Sequence, residues 1–118
     1  MIAWVHQYRP RSAWYALSAG ERDLLAGRWA ACATRASDAG GTRGGPFSIR
    51  GQSLFERLEV WTFPTAAAAE TYWSDLIANG YLDWRETSNL LAVDPGTAND
   101  PPSDPSSVSV LRASGTDE

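Results

Sequence analysis

The clearest hydrophobic and polar alternation in the chain runs over residues 56–63, with the sequence ERLEVWTF. A strand turns successive side chains to opposite faces, so this stretch has an aliphatic face and a face that mixes charges with aromatic rings. The first holds Leu58, Val60 and Thr62, and the second holds Arg57, Glu59, Trp61 and Phe63. Because neither face is plainly polar, both are expected to be covered. The aliphatic face suits packing by helices, and the mixed face suits the wall of a ligand cavity or a subunit interface.

Three further strands are predicted from the same period. The first covers residues 2–8, ends at Pro10 and alternates Ile2, Trp4, His6 and Tyr8 with Ala3, Val5 and Gln7. The second, at 47–50, is joined to the 56–63 strand as a hairpin. The fourth lies at about 82–88, and the sequence leaves open whether Trp84 and Glu86 or Asp83 and Arg85 share the aromatic face.

Two helices separate these strands. Ser18 and Glu21 form a capping-box pattern, which predicts a helix to about Ala39 whose buried stripe is Leu25, Trp29, Cys32 and Ala36. Thr65 is the expected N-cap of a second helix that ends near Asn79, with Ala69, Tyr72, Trp73, Leu76 and Ile77 inside. The glycine-rich residues 40–46 do not end in Gly-Lys-Ser and do not lead from a strand to a helix, so we interpret them as a flexible connection and not a phosphate loop.

The order strand–helix–strand–strand–helix–strand predicts an α+β fold of the ferredoxin-like type, with a four-stranded antiparallel sheet and both helices on one face. Strands one and three are expected side by side in the middle, running parallel to each other. The aliphatic residues of strands one to three are expected to face the helices. The opposite face would then collect Trp4, His6, Tyr8, Ser48, Arg50, Glu59, Trp61 and Phe63 without helical cover.

Composition narrows the functional classes. The net charge is −4 and all ten cations are arginines without a basic cluster, which argues against nucleic-acid binding. The lone Cys32 excludes an intrachain disulfide and a cysteine-based metal site, and it is expected to be a core residue. No signal-peptide pattern and no apolar run of about 18 residues is present, so we expect a cytoplasmic protein that does not span a membrane.

A change of composition divides the chain. Residues 1–93 have the content of one domain, whereas residues 94–118 are rich in Pro, Asp, Ser and Gly. We expect this tail to contribute little to the core, with Val108–Leu111 as the part able to add a short strand.

This arrangement of strands resembles the dimeric α/β-barrel superfamily, in which two ferredoxin-like units pack sheet against sheet. The resemblance covers residues 1 to about 92, and the pattern Glu59-x-Trp61-x-Phe63 is similar to strand three of uncharacterised bacterial members. It implies a homodimer whose site lies between sheet and helices or within the barrel. Members include cofactor-independent antibiotic-biosynthesis monooxygenases, polyketide cyclases, lactone isomerases and haem-degrading oxygenases. Haem degraders of this type carry a haem-ligand His on the second helix, and the second helix predicted here has no His. Trp61 and Arg85 are the candidates to match the Trp and Arg of the quinone-forming monooxygenases.

The candidate site follows from the mixed face. His6, the only histidine, is proposed as a general base with Glu59 as its partner on the neighbouring strand. Arg50, Arg57 or Arg85 would stabilise an enolate or phenolate. The walls would be Trp4, Tyr8, Trp61, Phe63 and Trp84. The structural alternatives are a His6 that bonds across a dimer interface, a Glu59 held in an ion pair with Arg50 or Arg57, and plain packing of the rings.

Three functions stay open at this point. The first is a cofactor-independent oxygenase, cyclase or isomerase of bacterial secondary metabolism that acts on an aromatic or polyketide-like substrate. The second is a non-catalytic homodimer that binds a small ligand or stabilises a partner. The third is a haem-binding protein that uses His6. A His6 side chain that points into the helix layer, away from any cavity, would contradict its role as a base.

Overall fold

The computed structural model describes residues 1–93, and the predictions about the tail at 94–118 lie outside these residues. The strands are β1 (Ile2–Pro10), β2 (Thr42–Ser48), β3 (Arg57–Phe63) and β4 (Arg85–Val93). The helices are α1 (Ala19–Asp38), α2 (Ala66–Ala78) and the short α3 (Tyr81–Trp84), and a 3-10 turn covers Ser12–Ala16.

Both long helices begin where the sequence predicts. The Ser18 hydroxyl accepts the Glu21 backbone N–H, and the Glu21 carboxylate accepts the Ser18 N–H, so the capping box is complete. The Thr65 hydroxyl accepts the Ala68 N–H at the start of α2. These caps satisfy backbone donors that have no partner inside the helix, which fixes the two helix starts locally.

The four strands form one sheet in the order β2-β3-β1-β4, and every neighbouring pair is antiparallel. This confirms the ferredoxin-like α+β fold. The prediction that the two central strands run parallel is wrong. The crossover through α1 makes β2 run in the same direction as β1. The connection after β2 reverses the direction of the chain, so β3 runs antiparallel to β1.

The sheet faces are the reverse of those predicted. Trp4, Trp61 and Phe63 are at most 1% exposed and lie under the helices. The Trp4 ring is 5.5 Å from that of Tyr72 on α2, and the Trp61 ring is 4.7 Å from it. Large rings remove more apolar area from water than Val or Leu, so the aromatic side gains more from helical cover. The uncovered face carries the aliphatic side chains Ala3, Val5, Leu58, Val60 and Leu90.

The strand boundaries differ from prediction at both sheet edges. β2 begins at Thr42, inside the stretch interpreted as a flexible connection, and its register shifts between Gly44 and Phe47. Gly45 sits at this irregularity with a φ of 97°, a conformation that glycine adopts without strain. At the other edge α3 replaces the expected start of β4, which places Arg85 on the helix side with Thr87 and Asn89.

None of the helices within residues 1–93 is long and apolar enough to cross a bilayer.

Candidate functional site

A cavity of about 150 Å³ lies between α1 and the sheet. All four strands contribute one side chain to it, α1 contributes three, and α3 contributes one. The lining residues are Tyr8, Ala26, Trp29, Ala30, Arg43, Glu59, Tyr81 and Arg85. The exposed Ala26 and Ala30 mark its rim, because α1 presents only small side chains there. The result is a small chamber with aromatic walls and charged groups on its sheet side.

Glu59 is the most heavily hydrogen-bonded side chain of the cavity. Arg43 donates to both of its oxygens, from Nε to Oε1 at 3.0 Å and from Nη2 to Oε2 at 2.9 Å. Tyr8 donates to Oε2 and the Trp61 indole to Oε1, each at 2.9 Å. Burial alone raises the pKa of Glu59, but the bonds from Arg43 and Trp61 and the Arg43 charge hold this pKa below its usual value. Glu59 is therefore an ionised anchor for Arg43.

This network also fixes Tyr8. Burial, followed by the charge and hydrogen bond of Glu59, raises the pKa of Tyr8 to about 12. Tyr8 thus stays a neutral phenol at physiological pH, and its hydroxyl hydrogen is committed to Glu59. Its ring remains available as a wall of the cavity.

Of the three charged side chains that line the cavity, Arg85 is the one without a counter-ion among the described residues. Its guanidinium carbon lies 4.6 Å from the ring centre of Tyr8, 4.8 Å from Trp29, 5.2 Å from Tyr81 and 6.0 Å from Trp14. Within residues 1–93 no carboxylate reaches ion-pair distance of Arg85, and its buried Nε–H has no acceptor. The aromatic faces stabilise the cation, but they leave its hydrogen-bonding capacity unfilled.

Behind Arg85 lies a chain of three buried side chains. The Tyr81 hydroxyl is 3.5 Å from Arg85 Nη1 and 2.6 Å from His6 Nε2, and His6 Nδ1 is 2.6 Å from the Asn89 oxygen. An amide oxygen only accepts hydrogen bonds, so Nδ1 carries the imidazole hydrogen and Nε2 accepts the hydrogen of Tyr81. Burial lowers the pKa of His6 to about 4, against smaller opposing effects from Asn89 and Glu59. The imidazole is therefore neutral.

The predicted pairing of His6 with Glu59 is not formed. The two residues are cross-strand neighbours on β1 and β3, but each is hydrogen-bonded to other groups. His6 is 2% exposed, packs in the helix layer against Trp73 at 5.8 Å, and does not line the cavity. The geometry therefore does not support His6 as a base that touches a ligand.

The other predicted site residues divide into two groups. Glu59, Arg85 and Tyr8 meet in the cavity. Trp4, Trp61 and Phe63 belong to the buried core, Trp84 is partly buried against that core, and Arg50 is exposed in the connection after β2. The ion pair of Glu59 forms with Arg43 instead of Arg50 or Arg57.

Three cavity residues were missed as site residues. Arg43 stands in the glycine-rich stretch that the sequence predicts as a flexible connection. The sequence places Trp29 in the buried stripe of α1, and Tyr81 precedes the predicted fourth strand. Arg43 could have been found from strand pairing. A strand at 42–48 that pairs with 57–63 places an arginine on the same face of the sheet as Glu59.

Comparison with known proteins supports the fold. A solved structure described as "Putative Chlorite dismutase TA0507" aligns with a TM-score of 0.64 and 21% identity over 81% of this chain. The aligned part is 45% of that protein, so this chain spans less than half of its length. No protein-family model matches, and no curated protein matches. At this level of identity the likeness establishes a shared ferredoxin-like fold.

Proposed function

We propose that this chain binds a small aromatic monoanion in the cavity between α1 and the sheet, with Arg85 as the anion-binding residue. The observation that carries the proposal is the state of Arg85, a half-buried cation that borders a cavity without a carboxylate partner among the described residues. A desolvated charge is costly unless it is paired, so an anion from solution would lower the free energy of the site.

The charge balance of the cavity supports a single negative charge on the ligand. The cavity is lined by two arginines and one carboxylate, and the carboxylate is taken by Arg43. One positive charge is left, on Arg85. A carboxylate or a phenolate matches that charge, and the planar guanidinium presents donors suited to a carboxylate.

The size and walls of the cavity support a single aromatic ring. An apolar protein cavity of about 150 Å³ is large enough for benzene. Here the volume is about the same, and Trp29, Tyr8 and Tyr81 supply ring faces and edges. A multi-ring polyketide would exceed this space, so within the aromatic or polyketide-like class the geometry favours the single ring.

An enzymatic version of the same site uses Arg85 on an anion that forms during a reaction. A fixed cation at the cavity wall stabilises a developing enolate or phenolate, because it needs no reorganisation. This is the stabilisation that a cofactor-independent oxygenase, cyclase or isomerase requires. Turnover of the bound compound would distinguish this version from a ligand-binding protein.

The described residues do not fit haem. His6 is the only histidine, both of its ring nitrogens are hydrogen-bonded, and it is 2% exposed. The cavity, at about 150 Å³, has room for one small ring and not for a macrocycle. The proposed function therefore does not involve haem.

A homodimer is part of the proposal. The uncovered sheet face carries Ala3, Val5, Leu58 and Val60, and its neighbours Phe47 and Leu90 are 53% and 65% exposed. A continuous apolar surface of this kind is typical of an association site. Pairing of two sheets through this face would cover it and leave the cavity, on the other side of the sheet, free for ligand.

Binding of benzoate, measured by isothermal titration calorimetry, tests the proposal. We expect saturable binding that falls at least tenfold in Arg85→Met, since loss of a charge-assisted hydrogen bond costs about 1.5–3 kcal/mol. The matched control is Arg50→Met, which removes the same charge outside the cavity and should leave the affinity unchanged. Equal affinity in the wild type and in Arg85→Met would contradict the proposal.

A further inference from the structure

The residues that line the cavity differ in their exposure to solvent. Four of them are at most 6% exposed and form its inner part: Tyr8, Trp29, Glu59 and Tyr81. The exposed lining residues are Ala26 and Ala30 on α1 and Arg43 on the edge strand β2. The cavity therefore meets solvent between α1 and β2, and we call the opening bounded by these three residues the mouth.

The β2 side of the mouth is fixed. Arg43 donates to Glu59 from both Nε and Nη2, at 3.0 and 2.9 Å, and such a paired contact holds the guanidinium in one orientation. The two residues that follow Arg43 on β2 are Gly44 and Gly45, which carry no side chain. The width of the mouth therefore depends on the side chains that α1 places there.

The α1 side of the mouth consists of two methyl groups. Ala26 and Ala30 are four residues apart, so they are neighbours on one face of the helix. The helix is held in place by its capping box at Ser18 and by Trp29, whose indole N–H donates to the carbonyl oxygen of Asn79 at 3.0 Å. Both sides of the mouth are thus anchored, and the side chains at these two positions set how far it is open.

We propose that the aromatic anion enters and leaves the cavity through this mouth, and that Ala26 and Ala30 are specificity-determining residues that set which ligands pass by size. The inference rests on the proposed function and adds the route and the size selection of the same site. A larger side chain at either position would occupy the space between α1 and β2, so an aromatic ring could pass only by displacing it.

The two alanines can be enlarged without loss of the fold. Both are exposed, and leucine is nearly as good a helix former as alanine. The variants Ala26→Leu and Ala30→Leu should therefore stay folded, with urea midpoints close to that of the wild type.

The association rate of benzoate, followed by stopped-flow tryptophan fluorescence, tests the inference, since Trp29 lines the cavity. We expect the association rate constant to fall about tenfold in Ala26→Leu and in Ala30→Leu, because the ring and the leucine compete for the same space. The matched control is Ala31→Leu, an exposed α1 position that does not line the cavity, which should keep the wild-type rate. Wild-type rates in both mouth variants would overturn the inference and leave the aromatic-anion site standing.

Labelling of Arg85 by phenylglyoxal, an arginine reagent with one aromatic ring, tests the mouth without a bound ligand. Peptide mass spectrometry follows the modification of each arginine. We expect Arg85 to react about tenfold more slowly in the double variant A26L/A30L than in the wild type, while the exposed Arg50 reacts equally in both. An Arg85 that reacts equally in the two proteins, or in neither, would overturn the inference even if benzoate binds. A wild type that does not bind benzoate would overturn the proposed function, whereas the labelling would still decide between the mouth and another route to Arg85.

Discussion

The buried neutral state of His6 predicts a specific dependence of stability on pH. The pKa of His6 is lowered from 6.5 to about 4 in the folded chain, with burial as the main cause. Between these two values the unfolded chain binds a proton that the folded chain does not. The free energy of unfolding therefore falls as the pH is lowered from about 6.5 toward 4, and the stabilising contribution is fully present above pH 6.5.

The magnitude follows from the two pKa values. One pKa unit corresponds to about 1.4 kcal/mol, so His6 alone should lower the free energy of unfolding by about 2 kcal/mol between pH 7.5 and pH 5. Against a typical total of about 5–15 kcal/mol this is readily measured. The window lies above the pKa of most carboxyl groups, including Glu59, whose pKa is lowered and whose contribution would be lost only at more acidic pH.

Urea unfolding followed by tryptophan fluorescence at pH 7.5, 6 and 5 provides the assay, since the chain has six tryptophans. The control is His6→Gln, which has no titrating group and should show a much smaller slope over the same range. A wild-type free energy of unfolding that stays constant from pH 7.5 to 5 would show that His6 is not buried as a neutral imidazole.

Three further outcomes are expected. Arg43→Met should lower the free energy of unfolding by about 2 kcal/mol, because it leaves the buried Glu59 without its cation and because the partial exposure of Arg43 limits the loss. The control variant Arg50→Met should change the free energy of unfolding by less than about 0.5 kcal/mol. Ser18→Ala should cost about 1 kcal/mol in the same urea assay by removing the α1 cap, and no loss would contradict the capping role. Val60→Lys on the uncovered sheet face should convert a homodimer to monomers in sedimentation velocity, whereas a wild-type monomer at micromolar concentration would refute the dimer.

The order of strands and helices could be predicted from the sequence because its signals are local. These signals depend only on residues that are close together in the sequence. They are the capping box at Ser18, the N-cap at Thr65 and the two-residue alternation at 57–63. The local structure that such patterns predict does not depend on how the rest of the chain packs, and the order of the predicted elements is sufficient to indicate a ferredoxin-like fold.

The direction of the sheet faces could not be predicted by the same reasoning. Alternation shows that Trp4 and Val5 point to opposite sides, but it does not say which side the helices cover. That choice depends on the total area buried by rings of β1, β3 and α2 together, which is a property of the packed core. The sequence predicts the rings on the uncovered side because the purely aliphatic face suits packing by helices, but the rings bury the larger apolar area and lie under the helices.

The cavity was predicted in part for a related reason. Glu59 and Tyr8 are predicted on one face by alternation, whereas the sequence leaves the face of Arg85 open and does not identify the partner of Glu59. Arg43 reaches Glu59 only because a glycine-rich edge strand pairs with β3, and glycine content argues locally against a strand.

A crystal structure of the protein soaked with 4-bromobenzoate tests the central claim most directly, because anomalous scattering from bromine locates the ligand without ambiguity. The account predicts bromine density within the cavity between α1 and the sheet, and a carboxylate at about 2.7–3.2 Å from the guanidinium of Arg85. An empty cavity, or a ligand bound elsewhere with Arg85 still unpaired, would contradict it.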